Sequence, residues 1–177
     1  MIKTDTFATT VKTPTGEVVI EGGIYARWLE LKSDLSPDGD DIQSHLEHPL
    51  GPQTMVPPHL GGGFEQRFRR GMIVERADGR AFVVYGAIYD HYIGRGGTGS
   101  VLGQPISDEE ESAHGGRVVH FQRGDIYWRS DFGPREVCGD GQVRAAARAN
   151  PFKRSLVDRA KSLCRRALQR VVARPVA

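Results

Sequence analysis

At 177 residues, 38% hydrophobic and 26% charged, the chain is long enough to bury one sizeable core and too short for two independent full-size domains. No apolar run approaches the roughly 18 residues of a membrane span, and the opening Met1-Ile2-Lys3-Thr4-Asp5 lacks the apolar centre of a signal peptide, so no export signal is visible. The net charge of +2 is divided unevenly: residues 144–177 carry ten basic side chains against Asp158, whereas residues 1–143 are net acidic.

In chain order, residues 9–12 and 17–20 are β-branched runs around Thr13-Pro14-Thr15-Gly16, a turn in which proline sets φ and glycine accepts positive φ. The pair predicts a hairpin. Ile24, Trp28 and Leu31 follow at helical spacing, and Ile88 and Tyr92 repeat it. Trp28 and Tyr92 are expected to pack in a core, with a sugar-stacking surface as the alternative if a ring is exposed.

Residues 32–62 hold five prolines and lead into Gly61-Gly62-Gly63, which predicts a connector without a long regular element. Its acidic stretch 38–41 lacks the register of an EF-hand loop, and His45, His48 and His59 lack the companions of a zinc motif. No metal and no cofactor is expected. The glycines between Gly94 and Gly99 follow a helix where a phosphate cradle would precede one, so they predict helix termination. Asp108 to Glu111 read as a solvated turn, with the Glu109 carboxylate accepting backbone N–H groups of the next turn.

Residues 118–121, 125–128 and 135–138 predict strands. Cys138 and Cys164 match neither a metal spacing nor a disulfide framework and are expected to be free thiols. After Asn150-Pro151, Phe152, Leu156, Ala160, Leu163, Ala167 and Val171 line one side of a predicted helix, opposite Arg154, Arg159, Lys161, Arg165 and Arg166. That amphipathic helix is expected to dock on the acidic core and shield an open repeat end, or to extend into solvent, or to meet an anionic surface, either lipid or another polyanion. No Gly-x-Ser-x-Gly elbow or cysteine–histidine context accompanies these elements, so no enzymatic activity is expected.

Phe68, Gly71, Ile73, Val84 and Gly86 recur 53 positions later as Phe121, Gly124, Ile126, Val137 and Gly139. Together with Tyr92, Gly96-Gly97, Leu102-Gly103-x-Pro105, Ser107-Asp108-Glu109 and Ile126-Tyr127-Trp128, this order resembles the LGFP repeat, a module of bacterial cell-surface proteins. An earlier copy keeps Trp28, Leu50-Gly51, Phe68, Gly71 and Val84, with Pro52-Gln53 inverting the expected order. The reading is a repeat domain over 1–141, comprising a half unit over 7–22 and units over 23–86 and 86–139, followed by a basic helical tail over 142–177. The expected fold class is α+β, with tandem hairpin and short-helix units in a propeller-like arc, because units this small must share a core.

The resemblance implies a non-catalytic module that binds cell-wall polysaccharide or peptidoglycan, with the compartment left unassigned. Trp128, Tyr127, Glu109, Trp28 and Tyr92 are its candidate contacts; strand alternation, and the charged counterpart Glu75, turn Trp128 outward and Tyr127 inward, the alternative being that both rings are buried under the connector loop. The alternative is a repeat scaffold whose basic helix reaches an anionic membrane, a nucleic acid or an acidic partner. Association of several chains to complete the array is a further expectation.

Overall fold

A computed structural model describes residues 7–36 and 38–139. The chain divides into two compact units between Tyr89 and Asp90.

The first unit opens with the predicted hairpin, β1 (Ala8–Thr13) and β2 (Gly16–Glu21), in register from Ala8 opposite Glu21 to Thr13 opposite Gly16. Gly22, at φ 64°, turns the chain out of β2 into α1 (Gly22–Glu30), and its N–H donates to the carbonyl of Phe7. No side chain of α1's own N-cap closes its first turn. The Glu75 carboxylate of a distant strand lies against it instead: a Cβ placed on Gly23 would collide with that group. Negative charge at a helix N-terminus is favourable, and glycine leaves room for it.

The connector contains a short helix, α2 (Ile42–Leu46), whose first turn is closed by Asp41 accepting the Ser44 N–H at 2.7 Å. That bond holds the Asp41 carboxyl below its ordinary range. Next come β3 (Thr54–Met55), β4 (Phe64–Phe68), β5 (Gly71–Glu75) and β6 (Ala81–Tyr85), an antiparallel sheet in sequence order. Ile20, Ile24, Leu31, Leu46, Phe68, Ile73, Val83 and Tyr85 form the core, with Tyr25 and Trp28 packed on its margin. Helix α3 (Gly86–Gly94) crosses the boundary between the units, and its first glycine, at φ 59°, donates to the carbonyl of Arg70 as Gly22 does to Phe7.

The second unit repeats this plan. α3 ends where the glycines begin, with Gly96 at φ 104° and Gly97 at φ 59°. The strands β7 (Glu110–Glu111), β8 (Arg117–Phe121), β9 (Gly124–Arg129) and β10 (Gly133–Cys138) form a second open, antiparallel sheet of four. Ile126, Val119, Phe121 and Leu102 are fully buried in it. The architecture is mixed α and β with antiparallel sheets and few helices. Among the described residues no sheet closes into a barrel or propeller.

Several expectations are corrected. In the first full unit the hairpin is extended by β3 and by β4, whose alternation is hidden because it carries Gln66 on its buried side, and in the second β7 is added to the three expected strands. The Leu-Gly-x-Pro position of the first full unit is filled by Leu46-Glu47-His48-Pro49, not by Leu50-Gly51. Pro49 bridges Phe68 as Pro105 bridges Phe121, and Arg70 donates to the Leu46 carbonyl as Arg123 does to that of Leu102. Glu47 therefore occupies the place of Gly103, and it is the one non-glycine with positive φ among the described residues. The acidic run is not a solvated turn, since Glu110 and Glu111 pair with β8. Cys138 is disulfide-bonded, where a free thiol was expected. Cys164 and the predicted basic helix lie outside the described residues.

Candidate functional site

The sequence-derived candidates fall into distinct settings. In the first unit, Trp28 is half-buried at the core margin, its ring stacked on Tyr25 with centroids 6.2 Å apart. Gln43 donates to the Trp28 carbonyl at 2.8 Å, which ties α1 to α2. Tyr25 is absent from the candidates read in the sequence, although its position one turn before Trp28 is the spacing at which helical rings meet.

In the second unit, Tyr92 is fully buried. Its hydroxyl donates to the Gly103 carbonyl at 2.7 Å, and its ring lies 4.5 Å from that of Phe121. Tyr92 thus fastens α3 to the glycine turn and the sheet, so its contribution to any ligand contact is through positioning.

Tyr127 is buried and Trp128 is half-buried, in a strand where burial falls towards the end and does not alternate, Ile126 on the Trp128 side being fully buried. Trp128 stands opposite Arg117 on one side and Pro134 on the other. It belongs to the same face as Ile126 and Glu136, the face over which His91 of α3 and Arg95, just beyond that helix, reach. The backbone beneath it is closely approached: a Cβ on Gly116, at φ 77°, would strike the Trp128 carbonyl, and one on Gly63 meets that of Glu75 in the same way.

Glu109 is nearly buried and receives Arg117 twice, through Nε to its carboxylate at 2.9 Å and through Nη2 to its carbonyl at 3.2 Å. The sequence conceals this ion pair, because the β7–β8 pairing brings Arg117 back over Glu109. Beside it, His120 joins two carboxylates, Asp125 through Nδ1 at 2.5 Å and Glu110 through Nε2 at 2.7 Å. Asp125 is fully buried, so the imidazole is oriented from below.

Glu136 on β10 accepts from Arg95 Nε at 2.8 Å and lies 3.3 Å from His91 Nε2. Burial raises its carboxyl, but the hydrogen bonds and charges of His91 and Arg95 outweigh burial and hold it below its ordinary value. The arrangement orients rings and closes ion pairs. Among the described residues no group of three or more histidines, cysteines or carboxylates is placed to hold a metal ion. Arg154, Arg159, Lys161, Arg165 and Arg166 lie outside the described residues.

The repeat seen in the geometry is matched by comparison with known proteins. No curated protein matches the chain. The family model of the LGFP repeat matches twice in tandem, over residues 49–100 and 102–148, which is more than half of the sequence. With two matched copies whose strand registers and turn glycines coincide, the chain belongs to the LGFP repeat family.

Proposed function

We propose that the repeat is a non-catalytic module that binds the polysaccharide or peptidoglycan of a bacterial cell wall, with Trp128 as a principal contact. Membership of the LGFP family supports a cell-wall association. The observation that carries the reading further is the half-buried indole of Trp128, held rigidly over the Gly116 turn and flanked by Arg117 and Pro134. A sugar ring presents C–H groups on one face and hydroxyls around its rim, so a flat ring beside fixed polar groups suits it. Tyr127, Glu109 and Tyr92 support this surface from within or beside the second unit, and Trp28 is a separate candidate contact in the first. The disulfide at Cys138 is consistent with an oxidising compartment.

The propeller-like arc and completion of the array by further chains belong to the same reading. The excess of basic residues after Arg144 supports an additional contact with a polyanion, through Arg154, Arg159, Lys161, Arg165 and Arg166. Charge reversal at Lys161, Arg165 and Arg166 tests that contact by co-sedimentation with anionic vesicles; unchanged co-sedimentation removes it. For the glycan site, Trp128→Ala is measured for retention on insoluble cell wall beside its melting temperature. Loss of retention with an unchanged melt is expected. Full retention, or loss accompanied by unfolding, removes Trp128 from the site.

A further inference from the structure

We infer that the turn ends of the β5–β6 and β9–β10 hairpins form a repeated glycan-contact site, one per full unit, each made of an aromatic ring and an arginine–aspartate pair, and that the ligand is an uncharged polysaccharide. This rests on the glycan-binding reading and deepens it.

At the first hairpin, Asp78 Oδ2 accepts from Arg80 Nε at 3.1 Å and Nη2 at 2.8 Å, and the Arg80 guanidinium stands 5.9 Å from the ring of Phe82. Arg76 approaches the same carboxylate at 3.5 Å. At the second, Arg129 forks onto both oxygens of Asp131, with Nη2 to Oδ2 at 2.8 Å, and stands 4.5 Å over the ring of Phe132, which is 43% exposed. The arginine–aspartate pair keeps its place in the repeat, since Arg76 and Asp78 precede Arg129 and Asp131 by the same interval as the strands, whereas the ring is supplied from different positions, Phe82 at the start of β6 and Phe132 in the turn.

Stability does not require the assembly. Exposed ion pairs contribute little to folding. The β1–β2 turn closes with no charged side chain, through Thr13 Oγ1 donating to the Gly16 carbonyl at 2.9 Å. Each of the two later turns already has its glycine at positive φ, Gly79 at 80° and Gly133 at 66°.

The chemistry suits a sugar. The phenyl ring offers a flat face to C–H groups, while the forked pair holds donors and acceptors in fixed directions for neighbouring hydroxyls, so little ordering is left to binding. Within the second patch, Arg129 and Asp131 balance one another. A neutral polymer fits such a pair better than one bearing phosphates or carboxylates, which would compete with Asp131 for its arginine.

The test uses the full chain and insoluble cell-wall polysaccharide stripped of protein and of anionic polymer. Phe82→Ala and Phe132→Ala should each weaken retention by about tenfold or more, and the double variant should abolish it, since linked sites gain by avidity. Phe82→Tyr and Phe132→Tyr keep the ring and should keep retention. A double alanine variant retained like the wild type overturns the proposal, as does equal loss in the tyrosine variants. Retention that disappears as salt is raised also overturns it, because it would mark an anionic ligand. A wild-type chain that is not retained removes the glycan reading itself, which separates the two failures.

Discussion

Glu47 holds a backbone conformation that side chains avoid, φ 61° and ψ −141°, at the position where the second unit has Gly103 at φ 73°. A non-glycine residue there costs about 1–3 kcal/mol. The compensating ion pair with Arg69, at 3.3 Å, is exposed and contributes roughly 0–1 kcal/mol. Glu47→Gly should therefore stabilise the chain by about 1 kcal/mol, once the greater unfolded-state freedom of glycine is subtracted. A denaturant titration showing equal or lower stability would mean that the Glu47 side chain does more than the geometry indicates. This position also explains a misreading of the sequence. Leu50-Gly51 shows the expected letters, whereas the structural equivalent Leu46-Glu47-His48-Pro49 has a glutamate where glycine belongs, and only the Pro49–Phe68 bridge reveals it.

Tyr92 makes a second residue-scale test. Its ring is fully buried against Phe121 and its hydroxyl is bonded to Gly103. Tyr92→Ala should cost about 3–5 kcal/mol through the cavity it leaves. Tyr92→Phe should cost about 1–2 kcal/mol, because the Gly103 carbonyl loses a buried donor. Trp28→Ala should cost less than Tyr92→Ala, since Trp28 is only half-buried. Equal costs measured by thermal or urea unfolding would contradict this ranking.

Among the elements, the hairpins and the two helices of nine residues were legible from β-branched runs, turn glycines and the Ile-x-x-x-aromatic spacing. β3 and β7 were not, because two residues carry no periodicity. β4 was hidden by Gln66, which is fully buried and donates to the carbonyls of Val19 and Gly51, each at 3.0 Å. The inference that placed Trp128 outward used Glu75 as a charged counterpart facing water. Glu75 instead meets the N-terminus of α1 at Gly22 and Gly23, so its charge is satisfied by a helix end. Tyr127 is buried and Trp128 half-buried because burial falls towards the end of β9, Ile126 on the Trp128 side being fully buried.

The tie between α3 and β10 has a pH signature. Glu136 has a folded-state carboxyl pKa below the ordinary one, held down by His91 and Arg95 against the opposing effect of burial. A depressed carboxyl contributes stability above its unfolded value, about 4.3, and loses that contribution as pH falls through the lower folded value. Glu136→Gln should lower stability at neutral pH and flatten the acid limb of the stability curve below about pH 4.3. An acid limb identical to that of the wild type would show that the tie is not formed in solution.

For the whole molecule, the separation of charge between residues 1–143 and 144–177 was visible in the sequence, as was the tandem repeat. The disulfide at Cys138 was not, because two cysteines form no framework that spacing could identify. Every paired strand among the described residues ends by Cys138. A chain ended at Gly141 is accordingly expected to keep a cooperative thermal transition, read by circular dichroism. A broad, non-cooperative melt would show that the repeat depends on residues 142–177 for its fold.

The central claim is that the repeat, and not the basic region, holds the chain on the cell wall. Salt separates the two, since contacts through ten basic residues are screened while ring stacking and neutral hydrogen bonds persist. The direct measurement is co-sedimentation of the full chain with purified insoluble cell wall as sodium chloride is raised from about 0.1 M to about 1 M, over which the Debye length falls from about 10 Å to about 3 Å. Retention that changes little across this range is the predicted result, and retention lost at the upper end would contradict the account.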